Sequence, residues 1–384
     1  MRFEFATAGR IIFGPGTLRE IGPAARESGR HAFVVSGRDP RRAQPLFDLL
    51  GAENIAFTSW AIAGEPTVDA IRAATARARA AGCDFTVGFG GGSAIDSAKA
   101  IAALITNEGD PLDYLEVVGR GLALSRPAAP CLAIPTTAGT GAEVTRNAVI
   151  AAPSHRFKAS LRHVSLLPRV ALVDPDLTLD LPPAITAATG LDALTQLIEP
   201  YVSSRANPFT DALCVQGIPR AARSLAQACR DRRNPEARKD LALASLFSGL
   251  ALANSGLGIV HGFAAPIGGM FAAPHGAICA SLLPHAMAIN LAAARARQPG
   301  GETVQRYDEI SRLLTGNPRA MADDGVAWIG QLVAELGIPR LSSWGITATD
   351  VSGLVEKATV ASSTKANPLP LTSAELTALV TAAL

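Results

Sequence analysis

The stretch D-F-T-V-G-F-G-G-G-S-A-I-D-S-A-K-A-I-A-A-L-I, residues 84–105, decides the fold. Between Asp84 and Asp96 it carries no charge, and its first half predicts a buried strand over 84–89. Residues 90–93 form a glycine-rich turn, and the apolar spacing over 94–105 predicts a helix. A strand, a glycine turn and a helix in that order leave unpaired N–H groups at the helix start, where a phosphate or pyrophosphate is the natural guest. Gly91 and Gly92, beside Ser93, let a ligand come close to the backbone. The spacing is neither G-x-G-x-x-G nor a Walker A loop, so neither standard nucleotide fingerprint applies.

A second turn of the same kind follows another apolar run, in C-L-A-I-P-T-T-A-G-T-G-A-E-V-T at 131–145. Thr136, Thr137 and Thr140 supply hydroxyls, and Gly139 and Gly141 allow close approach. Two polar turns after two strands suit a dinucleotide lying across the strand ends of an α/β sheet. Apolar runs at 32–36, 85–89, 131–135 and 170–174 alternate with helical patterns at 67–81 and 94–105. Beyond residue 176 strand signals nearly vanish. Pro182 and Pro183 suit a helix start, and helical patterns follow at 184–202, 208–229, 236–256 and 276–296. The expected division is an α/β, Rossmann-like dinucleotide-binding domain over 1–180 and an all-helical domain over 181–384.

The helical half carries a second chemistry. G-L-G-I-V-H-G-F-A-A-P-I-G-G-M-F-A-A-P-H-G sets His261 and His275 among small residues that do not crowd a metal. Upstream, Asp192 and Gln196 stand four apart and share one helix face. A carboxylate and two imidazoles from separate helices make a divalent-metal candidate, with Gln196 as a weaker neutral ligand.

Taken together, these motifs resemble the iron-containing (group III) alcohol dehydrogenase family. The resemblance rests on G-G-G-S-A-I-D-S-A-K at 90–99, P-T-T-A-G-T-G-A-E-V-T at 135–145, V-D-P-D-L at 173–177, G-L-D-A-L-T-Q at 190–196 and the His261–His275 run, in the family's order. Leu336–Pro339 and N-P-L-P-L-T at 367–372 extend it over nearly the whole chain. It implies an α/β nicotinamide-binding domain followed by a helical metal domain, with a cleft between them. It also implies an NAD(P)-linked oxidoreductase acting on the CH–OH group of a small alcohol or aldehyde, a bound Fe2+ or Zn2+, and a homodimer. Metal ligation falls to Asp192, Gln196, His261 and His275, of which Asp192, His261 and His275 serve the chemistry. Gly37, Arg38, Gly91, Gly92, Ser93, Asp96, Thr136, Thr137, Thr140 and Lys158 are the candidate cofactor contacts.

This chain departs from the family at three places. Members that prefer NAD carry an acidic residue where Gly37 stands, followed here by Arg38. Loss of the carboxylate and gain of a guanidinium favour the 2′-phosphate of NADP, with NAD the alternative. Typical members have histidine at Gln196 and again at Ala265, where it is a candidate proton-handling group. Two other readings compete with a dehydrogenase. One is a metal- and nucleotide-dependent lyase similar to dehydroquinate synthase, which needs several basic residues for its anionic substrate, where only Arg146 and Lys158 are candidates. The other is a relative that binds nucleotide without turnover.

Composition bounds the rest. The 384 residues exceed one compact core, so two domains are expected. Hydrophobic residues make up 48%, and a net charge of +2 leaves no basic excess for a nucleic-acid partner. Cys83, Cys131, Cys214, Cys229 and Cys279 form no C-x-x-C pair, which favours reduced thiols and a cytoplasmic setting. The N-terminus lacks the apolar core of a signal peptide, and 241–260 reads as a buried helix rather than a membrane span. The arginine-rich segment 230–240 reads as a solvated loop. Arg146, just after the threonine turn, raises the expectation of an anionic group on the substrate.

Overall fold

The computed structural model describes residues 2–384 and divides the chain into two compact units. One runs from Ala6 to Leu179; the other comprises Asp180–Leu384 and the N-terminal segment through Phe5. That segment joins the helical unit through Phe3 and Phe5, whose rings each lie 5.5 Å from Phe209.

The first unit is built on eight strands: β1 (Arg10–Phe13), β2 (His31–Ser36), β3 (Ala56–Ala61), β4 (Phe85–Gly90), β5 (Cys131–Pro135), β6 (Asn147–Ala152), β7 (Phe157–Arg162) and β8 (Val170–Val173). Six of them form one parallel sheet in the order β1-β8-β5-β4-β2-β3. The central strands β4, β5 and β8 are buried at every residue, which is why they read as unbroken apolar runs. The two edges, β1 and β3, stay half exposed and carry mixed residues, so no such run announces them. Strands β6 and β7 make a separate antiparallel hairpin.

Helices α1 (Ile21–Arg26), α2 (Gln44–Ala52), α3 (Val68–Ala80), α4 (Gly92–Thr106) and α5 (Pro111–Tyr114) belong to the same unit. The helix α4 is the most deeply packed, with ten residues from Ala94 to Leu104 buried. Gly88 makes its approach to β4 feasible: a Cβ there would lie 2.8 Å from the Ile95 Cα. The V-D-P-D-L motif is a brace, since the Asp174 carboxylate accepts hydrogen bonds from the N–H groups of Gly16, Leu18 and Asp176.

The second unit contains helices only: α6 (Pro183–Val202), α7 (Pro208–Arg230), α8 (Pro235–Ser255), α9 (Ile259–Met270), α10 (His275–Arg297), α11 (Glu302–Thr315), α12 (Ala322–Glu335), α13 (Val351–Val360) and α14 (Ser373–Ala383), with short 3-10 turns between some of them. Asn207 caps α7 by accepting from the N–H groups of Phe209 and Thr210, and Thr372 caps α14 against Glu375. The segment 230–240 is not one solvated loop. Helix α8 begins at Pro235, and Arg238 is 1% exposed. Its guanidinium donates to the Arg232 and Leu181 carbonyls and to the Thr186 hydroxyl. A run of like charges hides such a residue, because only the packed structure supplies the acceptors that make burying it tolerable. Helix α10 is long and apolar enough to cross a bilayer, yet 72% of its most apolar window is buried inside the protein, as in a core helix.

Candidate active site

Strand order reverses at β2: the chain runs from β2 outward to β3, then returns to place β4 on the other side of β2. Such a switch point opens a crevice at the strand ends, where open α/β sheets bind nucleotides. The turns after β2 and β4 flank it. They lie so close that a Cβ on Gly90 would sit 3.4 Å from the Gly37 nitrogen. Helix α4 starts at Gly92 with Gly91 before it and no side chain capping its first N–H groups. Its opening turn is thus free to bind an anion. The threonine turn closes over the same spot. A Cβ on Gly92 would lie 2.8 Å from the Thr140 Cγ2, and one on Gly91 3.3 Å from Thr137. Gly91, Gly92, Ser93, Thr136, Thr137 and Thr140 therefore form one patch, with Gly37 beside it.

Two of the other proposed cofactor contacts, Asp96 and Lys158, have protein partners. Asp96 accepts from the Val149 N–H at 3.2 Å and lies 3.7 Å from the Lys99 ammonium, tying α4 to β6. Lys99 is fully buried and donates to the Thr145 hydroxyl and the Asn147 carbonyl, each at 2.9 Å. Lys158, on β7, pairs with Glu65 at 3.2 Å. Arg38 is exposed, while its neighbour Arg41 is engaged by both oxygens of Asp39 at 2.8 and 2.9 Å.

Burial pushes Asp96 up to about 6, against the pull of Lys99, and pushes Glu143, in the threonine turn, up to about 7. A folded-state acid held above its unfolded value stabilises below the unfolded pKa and loses that contribution as pH rises through the folded one. Between about pH 4.5 and 7 the Glu143 contribution is therefore lost. Glu143→Gln should raise stability at pH 8 by roughly 2–3 kcal/mol, with a smaller gain at pH 5. Thermal melts at the two pH values check this; an equal change at both would assign the effect to packing.

The metal candidate lies wholly in the helical unit. Helix α6 presents Asp192, Gln196 and Glu199 at i, i+4 and i+7, hence on one face. Helix α9 supplies His261, while α10 supplies His275 as its first residue and Cys279 one turn later. One ligand atom from each of Asp192, His261, His275 and Cys279 lies within 4.8 Å of the others. Asp192 is 1% exposed, and its Oδ1 has no hydrogen-bond partner. That oxygen is 3.4 Å from His261 Nε2 and 3.7 Å from His275 Nε2, too long for a directed hydrogen bond. A buried carboxylate oxygen without a partner is costly unless a cation satisfies it.

Glu199 sets the orientation of His261. Its Oε2 lies 2.6 Å from His261 Nδ1 and its Oε1 accepts from the Val260 N–H at 2.7 Å, leaving Nε2 to face the cluster. This is the carboxylate–imidazole arrangement that fixes metal-binding histidines. Gly258 admits it: a Cβ there would be 2.7 Å from Glu199 Oε1. The residue was detectable only through its spacing of seven from Asp192, which also marks an ordinary buried stripe. Cys279 was likewise legible only as one scattered thiol.

Charge in the cluster favours a cation. Burial opposes protonation of both imidazoles, yet Cys279 and the acidic neighbours prevail, raising His261 well above the ordinary histidine range and His275 to about 9. Burial alone would raise Asp192, but His275 and His261 hold it below the usual carboxylate range. The spacing also suits a metal. Tetrahedral bonds of about 2.0 Å to N or O and about 2.3 Å to S give ligand–ligand edges of about 3.3 and 3.5 Å. The N–O edges here are 3.4 and 3.7 Å, and the thiol lies 3.8 and 3.7 Å from His261 and His275 Nε2. Gln196, buried on the same α6 face, accepts a hydrogen bond from the Ser248 hydroxyl at 3.0 Å through its Oε1.

Residues 8–175 match the model of the iron-containing alcohol dehydrogenases, and residues 186–384 match the C-terminal domain of Fe-containing alcohol dehydrogenases. The chain is 37% identical over 378 residues to the probable alcohol dehydrogenase EutG of Salmonella typhimurium strain LT2, covering 97% of this chain and 92% of that protein. It is 32% identical over 392 residues to the 1,3-propanediol dehydrogenase of Klebsiella pneumoniae, with 98% and 97% covered. Among solved structures, a 1,3-propanediol oxidoreductase superposes with a TM-score of 0.92 at 32% identity over all of both chains. The sulfoacetaldehyde reductase of Bifidobacterium kashiwanohense, in complex with NAD+, gives 0.87 at 28% identity over 100% of this chain and 99% of that one. With both halves matched in order, the chain belongs to the iron-containing alcohol dehydrogenase family.

Proposed function

We propose that this enzyme interconverts small alcohols and aldehydes with NADP as the hydride carrier and a divalent ion held by Asp192, His261 and His275. The observation that carries the reading is the buried, unbonded Asp192 Oδ1 facing two imidazole nitrogens. When bound, the ion would supply Lewis acidity toward a substrate oxygen and the nicotinamide would supply the capacity to take up or give a hydride. The protein's own residues prepare this chemistry. Asp192 contributes negative charge, Glu199 holds the His261 ring by its Nδ1, and the burial of Asp192, His261 and Gln196 keeps water from their side chains.

Support for NADP over NAD comes from the turn after β2, where Gly37 leaves open space and Arg38 stands exposed with Arg41 already engaged. NADPH should outperform NADH. Arg38→Ala should weaken NADPH binding by roughly 1–3 kcal/mol, the scale of a hydrogen bond to a charged group, and leave NADH nearly unchanged. Nicotinamide absorbance with a panel of aldehydes measures both; equal losses for the two cofactors would remove Arg38 from the 2′-phosphate. Including carboxylated aldehydes in that panel tests the anionic preference expected from Arg146. A lack of turnover with every aldehyde would overturn the reading as a whole.

Ala265 follows His261 by one helical turn on α9 and has no group that can carry a proton. Ala265→His should add an ionisation near the ordinary imidazole value of about 6.5 to the pH profile of kcat. Superimposable profiles for the two proteins would show that position 265 handles no proton.

A further inference from the structure

We propose that the thiolate of Cys279, rather than the amide of Gln196, is the fourth protein ligand, and that the site is consequently a zinc centre rather than an iron one. This rests on the metal-dependent reading above and goes beyond it in ligand set and metal.

The geometry separates the two candidates. Cys279 lies one turn beyond His275 on α10, so both side chains leave the same helix face. Its Sγ stands 3.7 Å from His275 Nε2 and 3.8 Å from His261 Nε2, close to the tetrahedral edge of about 3.5 Å. It is fully buried, and the independent pointer to a cation is beside it: the buried Asp192 carboxylate, whose Oδ1 has no hydrogen-bond partner and one of whose oxygens lies within 4.8 Å of the sulfur. Gln196 Oε1 instead lies 3.0 Å from the Ser248 hydroxyl on α8, whose one proton also has the Ser245 carbonyl as an acceptor at 2.8 Å. A neutral amide competes poorly with a thiolate for a borderline-soft ion.

Ligand chemistry then selects the metal. Two imidazoles, one carboxylate and one thiolate form a four-coordinate N/O/S set suited to Zn2+. Coordination displaces to solvent the protons carried by the thiol and by the two imidazole nitrogens that become ligands, with no change of oxidation state.

The test uses the full-length protein, stripped with a chelator and reloaded with Zn2+ alone. X-ray absorption at the zinc edge should show one sulfur scatterer at about 2.3 Å beside N/O scatterers at about 2.0–2.1 Å. Cys279→Ser should lose the sulfur shell and weaken zinc binding by at least about a hundredfold. Gln196→Ala should keep the shell and change affinity less than about tenfold. With Fe2+ and Zn2+ supplied together anaerobically, the preference for zinc over iron should be larger in the wild-type protein than in Cys279→Ser; equal preferences would overturn the thiolate's part in choosing the metal. Zinc retained in the wild-type protein with an N/O-only shell would overturn the sulfur ligand while leaving the metal-dependent reading intact. Failure of the wild-type protein to retain any divalent ion would overturn both.

Discussion

Replacing His261 with alanine is expected to strip the protein of its divalent ion and abolish alcohol oxidation. His261 offers Nε2 to the cluster only because Glu199 fixes Nδ1 at 2.6 Å, so its loss removes a ligand and leaves Glu199 buried without that partner. Structural zinc sites bind with roughly 10–16 kcal/mol over four ligands, so one ligand accounts for about 3–4 kcal/mol, or a 10²–10³-fold loss of affinity. The supporting shell should matter less. Glu199→Gln keeps the size of the side chain but removes the charge that holds the ring, and a loss of about 10–100-fold is expected. Metal content after dialysis, measured beside turnover, ranks the three proteins. Full activity in metal-free His261→Ala would mean that protein groups alone polarise the substrate.

Gly276→Ala should be the most damaging single methyl group in the helical unit. A Cβ at position 276 would sit 2.4 Å from the Ala188 carbonyl oxygen and 2.8 Å from its carbon, both backbone atoms of α6. Neither can move without shifting α6, and α10 would be driven off it at the residue next to His275. Overpacking of this kind costs about 1–3 kcal/mol or more. For a unit of this size that lowers Tm by roughly 2–4 °C per kcal/mol. Metal affinity should fall along with stability, because His275 and Asp192 sit on the two helices being separated. Gly330→Ala on α12 is the control: nothing lies within 4 Å of its Cβ position, and helix propensity favours alanine by about 1 kcal/mol. Calorimetry on the two variants should therefore give shifts of opposite sign; a neutral Gly276→Ala would show that α6 and α10 do not depend on this close approach.

The amino-acid sequence by itself determined the elements that local chemistry dictates. Strands β4, β5 and β8 are buried on both faces and so read as apolar runs, and the glycines after β4 announced an open helix N-terminus. Asp192, His261 and His275 stood out because imidazoles among small residues and a carboxylate on an apolar helix have few bland uses. Tertiary structure alone decided the rest. Edge strands β1 and β3 are held by neighbours distant in the chain or half exposed, as when Arg10 pairs with Val170. Glu199 became a support for His261 through a contact across 62 positions, and Arg238 became tolerable in the interior through acceptors at Leu181, Thr186 and Arg232. Cys279 was one of five scattered thiols until the start of α10 was set against α6 and α9. Residue type and spacing reveal what a side chain can do within its own helix or strand; which groups meet across elements is set by packing, which no local pattern encodes.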